Sequence, residues 1–144
     1  MVQEFPRTLS PIPREIPGAV KKYTPPHVLV VDDERLVRWA VAETLAGHGY
    51  EISEAGDAAS ARELIMSGTH VPDLALLDLR LPDSDDLSLA CFIQAHAPGT
   101  PIVIMTAFGT PDLLSEALSL GIAIVTKPFD MNELTKVVDR TLAR

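Results

Sequence analysis

Residues 27–144 are predicted to fold as a doubly wound α/β domain around a five-stranded parallel sheet, and three observations carry that prediction. Short apolar runs without in/out alternation recur along the chain, as strands covered on both faces require. Segments with helical apolar spacing lie between them. Capping residues and glycines punctuate the joins, giving strand and helix in regular alternation.

The elements follow in order. Val28–Val31 is a β-branched run too short for a helix. Leu36, Val37, Ala40, Val41, Thr44 and Leu45 then form a helical apolar stripe, ended by Gly47 and Gly49. Tyr50–Ser53 is a second, more polar strand, and Asp57 starts a helix that runs through Leu64 and Ile65. Asp73–Leu77 is the third strand, with Asp86 expected to start a helix through Leu87, Ala90, Cys91 and Gln94. Pro101–Met105 is the fourth. Thr110-Pro111 sets a cap residue before a proline at the first helical position, and Gly121 closes that helix. Ile122–Val125 is the fifth strand. Asp130 and Glu133 have capping-box spacing ahead of Leu134, Val137, Val138, Thr141 and Leu142, which share one helical face.

The 144 residues, 47% of them apolar, suit one domain with a real core. Six of the twelve prolines fall within residues 1–26, which read as an extended N-terminal tail preceding the domain at 27–144. The tail carries net charge +2 and the remainder −10. So acidic a body repels a phosphate backbone, which argues against direct nucleic-acid binding. The single cysteine, Cys91, excludes a disulfide framework. No apolar run approaches the ~20 residues of a membrane span, and the first residues lack the blocks of a secretory signal. A cytoplasmic setting without membrane contact is the expectation.

Ligands of open parallel sheets sit beyond the carboxyl ends of the strands. Here the first strand runs into Asp32-Asp33, the third into Asp78, the fourth into Thr106, and the fifth through Thr126 to Lys127-Pro128. Carboxylates crowded within ~4–6 Å repel one another, and a hard divalent cation resolves the conflict. Mg²⁺ takes oxygen ligands while keeping waters and a phosphate oxygen. The lysine and hydroxyl then suit the other phosphoryl oxygens, and an aspartate can act as nucleophile to form an acyl phosphate.

With these residues in place, the chain resembles the receiver domains of two-component response regulators. The matching pieces are Val30-Val31-Asp32-Asp33-Glu34, Leu77-Asp78-Leu79-Arg80-Leu81-Pro82, Met105-Thr106-Ala107 and Thr126-Lys127-Pro128-Phe129. The resemblance implies a flavodoxin-like sheet of strand order 2-1-3-4-5 with five helices. It implies Asp78 as phosphoacceptor, with Lys127 and Thr106 contacting the phosphoryl group. Asp32, Asp33, Asp78 and the backbone carbonyl of Arg80 would hold Mg²⁺, and the Lys127–Pro128 peptide would be cis. Arg80 and Phe108 would flank the path of attacking water, the bulk of Phe108 slowing loss of the phosphoryl group. The implied partners are a histidine kinase or phosphotransfer protein upstream and a protein target or output domain downstream. The last two helices and last strand are the face on which this family often docks partners or dimerises.

Three departures stand out. Ile124 occupies the place, three before the lysine, where such domains commonly carry an aromatic ring, the stretch from Gly121 to Lys127 is one residue shorter than is usual in them, and Asp85-Asp86 replaces the common Asp-Gly pair. Ile124 and the shortened stretch leave a second reading open, a pseudo-receiver that binds protein without switching by phosphorylation. A Mg²⁺-dependent phosphohydrolase would need an acid two residues after the nucleophile. Arg80 stands there and cannot donate a proton in that role, so a phosphoacceptor rather than a turnover enzyme is expected. A stand-alone receiver is favoured over the receiver part of a longer regulator. Among the rest, Cys91 reads as a small core residue, and Trp39 as core or an interface edge. Leu113, Leu114, Ala117 and Leu118 read as a packing stripe, and Asp83, Asp85 and Asp86 as a solvated turn and helix cap. His27, His48, His70 and His96 have no metal-ligand spacing.

Overall fold

Ten elements alternate along the chain in a computed structural model that describes residues 24–68, 71–107 and 109–142. They are β1 (His27–Val31), α1 (Arg35–Gly47), β2 (Glu51–Ala55), α2 (Ala58–Met66), β3 (Leu74–Asp78), α3 (Ser88–His96), β4 (Ile102–Thr106), α4 (Pro111–Ser119), β5 (Ala123–Thr126) and α5 (Met131–Thr141). All strand pairs are parallel and the sheet order is β2-β1-β3-β4-β5, as expected. No helix among the described residues is long and apolar enough to cross a membrane.

The absence of alternation in the central strands has a direct cause. Every residue of β1, β3 and β4 is buried, and successive side chains feed opposite layers. Leu29, Val31, Ala75, Leu77, Ile102 and Ile104 meet Ala61 and Ile65 of α2, Ala90 and Ile93 of α3, and Ala117 of α4. Val28, Val30, Leu74, Leu76, Val103 and Met105 meet Val41 and Leu45 of α1 and Leu134 and Val138 of α5. The edge strands β2 and β5 are less buried, which accounts for the polar text of β2.

The caps of α2, α4 and α5 fall where the sequence puts them. Asp57 accepts from the Ser60 N–H at 2.7 Å, and Thr110 Oγ1 from the Leu113 N–H at 3.2 Å. Asp130 accepts from the Glu133 N–H at 2.7 Å while Glu133 accepts from the Asp130 N–H at 3.3 Å, a complete capping box. Gly121, after the C-cap of α4, has φ +78° with open space where a Cβ would lie. Its cost to any other residue is therefore backbone strain alone. Gly121→Ala should lower the unfolding free energy by about 1–2 kcal/mol, measured as a shift of the urea midpoint at constant slope.

Several expectations need correction. Strands β3, β4 and β5 end one residue later than the apolar runs, because Asp78 and Thr106 still pair in the ladder, with Met105 and Thr126. Helix α3 starts at Ser88 with Leu87 at the N-cap, not at Asp86, whose carboxylate instead accepts from the Ser88 N–H at 2.9 Å. Cys91 is exposed, because Leu89, Ala90 and Ile93 take the buried face of that helix. Leu36 and Trp39 on α1 and Leu118 on α4 also face outward. The tail up to residue 23, His70 and Phe108 lie outside the described residues.

Candidate functional site

The strand order positions the site. The chain leaves β1 for β2 on one side, while β3 lies on the other, so a crevice opens at the carboxyl ends of β1 and β3. Asp32 and Asp33 follow β1, Asp78 closes β3, Thr106 closes β4 and Lys127 follows β5. Asp33, Asp78, Thr106, Lys127 and Arg80, with Glu34 and Ala107, line one cleft of about 390 Å³. Asp32 is fully buried beside it. Asp32, Asp33, Asp78, Arg80, Thr106 and Lys127 therefore converge on one rim.

Lys127 organises the acids. Its Nζ donates to Asp32 Oδ2 at 2.8 Å, to Asp78 Oδ2 at 3.1 Å and to Glu34 Oε1 at 3.1 Å. The backbone holds this geometry from several directions. The Lys127 N–H donates to the Thr106 carbonyl at 2.8 Å, and the Lys127–Pro128 peptide is cis, as the resemblance implies. The Glu34 N–H donates to Asp32 Oδ1 at 2.9 Å, and the Arg80 N–H to Asp78 Oδ1 at 3.1 Å. Arg38, reaching back from α1, donates from Nη1 to the Asp32 carbonyl at 2.7 Å and pairs with Glu54 at 3.2 Å.

These contacts decide the electrostatics. Burial pushes the Asp78 carboxyl above its ordinary range, helped by the charge of Asp32; the Arg80 N–H and Lys127 oppose the shift without cancelling it. Burial works against the Lys127 ammonium, but the hydrogen bonds and charges of Asp32 and Asp78 outweigh it and hold its pKa above that of an ordinary lysine. One cation thus shares several carboxylates, leaving the cluster short of positive charge. Carboxylate oxygens of Asp32, Asp33 and Asp78 all lie within 4.8 Å of one another, a hard all-oxygen donor set of the kind Mg²⁺ takes.

The geometry and the kinship agree. Residues 28–139 match the family model described as response regulator receiver domain. The chain belongs to that family. This receiver domain is 38% identical over 122 residues to the transcriptional regulatory protein PdtaR of Mycobacterium tuberculosis, covering 83% of the chain but 58% of the relative. The chain thus spans little more than half the length of that relative. The signal receiver domain of an HD domain-containing protein from Pseudomonas fluorescens Pf-5 superposes with a TM-score of 0.76 at 27% identity, over 86% of this chain and 92% of that one. A CheY-like receiver domain protein from Methanospirillum hungatei JF-1 shares the fold with a TM-score of 0.78 at 24% identity, covering 83% and 95% of the two chains.

Two acids near the site make contacts that the sequence does not point to. Glu34, read only as part of the first motif, is the third acid on Lys127. Asp83, in the acidic turn read as a helix cap, reaches the N-terminus of α2 rather than the helix that follows it. Ile124, in the aromatic's usual place, is half-buried and packs against the layer beneath α2, α3 and α4.

Proposed function

We propose that this receiver takes a phosphoryl group on Asp78 from the phosphohistidine of a histidine kinase or phosphotransfer protein, and relays the event to a protein target or output domain. The observation that carries the reading is Lys127 bridging Asp32 and Asp78 at the wall of a cleft that Asp33 and Thr106 also line. An Asp78 carboxylate oxygen would attack phosphorus as the bond from phosphorus to the donor's imidazole nitrogen breaks, giving an acyl phosphate on the aspartate and a neutral histidine once protonated. Asp32, Asp33, Asp78 and the Arg80 backbone carbonyl would hold Mg²⁺. Bound there, the ion would offset the negative charge of the transferring group. Lys127 would turn toward the new phosphoryl oxygens once Asp78 gives up its charge, and the Thr106 hydroxyl would donate to one of them. The chain's own chemistry is then a single transfer, not turnover.

Division into a tail at 1–26 and a receiver at 27–144 is part of the same reading, supported by β1 starting at His27. So are a cytoplasmic setting, the absence of direct nucleic-acid binding and a dimer face on α4, β5 and α5. Ile124 supports one rival, a pseudo-receiver that keeps the fold as a protein-binding module. The test is incubation with Mg²⁺ and a small acyl-phosphate donor, followed by intact mass. Wild type should gain one phosphoryl group, and Asp78→Asn none. Mg²⁺ binding without any gain in mass would favour the rival.

A further inference from the structure

The loop after β3 makes a long-range contact that the cleft itself does not require. Leu81 and Ser84 exchange backbone hydrogen bonds, from the Leu81 N–H at 2.8 Å and the Ser84 N–H at 3.2 Å, closing a tight turn over Pro82 and Asp83. From that turn Asp83 reaches the N-terminus of α2. Its Oδ1 accepts from the Ala58 N–H at 2.8 Å and its Oδ2 from the Ala59 N–H at 3.0 Å. The helix already has its own cap, Asp57 on the Ser60 N–H. Asp83 is therefore a second carboxylate at the positive end of α2, delivered from the loop that leaves Asp78. The Ala58 and Ala59 amides hold its carboxyl below the usual range, so it is ionised at neutral pH.

Between Asp83 and Asp78 the chain has little freedom. Pro82 fixes φ, Leu81 is bound twice to Ser84, and Leu79 and Leu81 are buried. Arg80 lies between those two anchors, and its N–H donates to Asp78 Oδ1. We infer that Asp83 is a positioning residue of the Asp78 site: by tying the turn to α2 it fixes the backbone at Arg80, whose amide holds Asp78 and whose carbonyl would join the metal's ligands. The inference rests on the metal reading proposed above. It also gives α2 a physical link to the occupancy of Asp78 that does not pass through position 124.

The test is calorimetric titration of the full chain with MgCl₂, with thermal midpoints recorded in parallel, for wild type, Asp83→Ala, Asp83→Asn and Asp57→Ala. Asp83→Ala should weaken Mg²⁺ binding about fivefold, less than the ~10-fold or more expected for a residue that hydrogen-bonds a ligand directly. Asp83→Asn, which keeps one acceptor oxygen for the α2 amides, should recover part of that loss. Asp57→Ala removes the other cap of the same helix without touching the Arg80 loop. It should lower the midpoint and leave Mg²⁺ affinity unchanged. If Asp83→Ala behaves like Asp57→Ala, with a lower midpoint and wild-type affinity, its role is capping alone and the inference is overturned. A wild-type chain that takes up no Mg²⁺ overturns the metal reading itself, which is a different result from the first.

Discussion

Replacing Lys127 by Met is expected to lower the unfolding free energy of the metal-free chain by about 3–5 kcal/mol, the usual consequence of removing one partner from a buried ion pair. Methionine keeps most of the volume of the lysine stem, so the loss reports the ammonium rather than a cavity. The side chains involved are 13% exposed for Lys127, 0% for Asp32 and 8% for Asp78, so solvent screens the lost attraction poorly. Without the cation, Asp32 and Asp78 face each other with the Glu34 and Arg80 backbone amides still donating to them but no positive charge between them.

The pH dependence follows with a definite sign. Asp78 already titrates above the ordinary carboxylate range because it is buried, with the charge of Asp32 adding to the shift. A carboxyl whose folded pKa is raised contributes stability that is fully present below its unfolded value, and loses it as pH rises through the folded value. Removing Lys127 raises the folded value further. The deficit of Lys127→Met should therefore be smaller near about pH 4 than above neutrality. Mg²⁺ should restore the variant more than it stabilises wild type, because it supplies the missing positive charge; at about 100 times Kd the linkage is worth ~2.7 kcal/mol. Urea unfolding at two pH values, with and without Mg²⁺, measures all of this. A loss below about 1 kcal/mol that is the same at both pH values would mean that Lys127 does not hold the acids together.

Much of this site was legible because its parts are local. Each capping contact of Asp57, Thr110 and Asp130 spans three residues, and each rim residue directly ends or follows an apolar run. A polar residue placed just where a buried strand stops is visible without knowing the strand order. Glu34 and Asp83 were not readable in the same way. The ion pair from Glu34 to Lys127 spans 93 positions, and the bonds from Asp83 to α2 span 25 and 24. Nothing in the linear text marks which of several neighbouring acids will meet a lysine or a helix end once the crossovers are made. The apolar stripes failed for a different reason. They identify a helix, but a stripe broader than the face that packs leaves its margins to solvent, as with Cys91, Leu118 and Leu36.

That margin can be tested on a single helix. Leu36 and Leu45 both belong to the apolar stripe read for α1, yet Leu45 is fully buried and Leu36 is 81% exposed. At 3.6 residues per turn, Leu45 lies about 40° around the helix from Val41, whereas Leu36 lies about 140° away, beside the exposed Trp39. Leu45 sits in the layer with Val41, Tyr50, Leu134 and Val138, where α1 and α5 cover the sheet. Leu45→Ala should therefore cost about 2–5 kcal/mol, since the lost burial is joined by a cavity that close-packed neighbours can fill only in part. Leu36→Ala should stay within about 0.5 kcal/mol of wild type, because the side chain it removes is already in water. Urea midpoints at constant slope would separate the two. A cost above 2 kcal/mol at Leu36 would require that this outer face be covered in the native chain, and equal small effects at both positions would contradict the packing of α1 against the sheet.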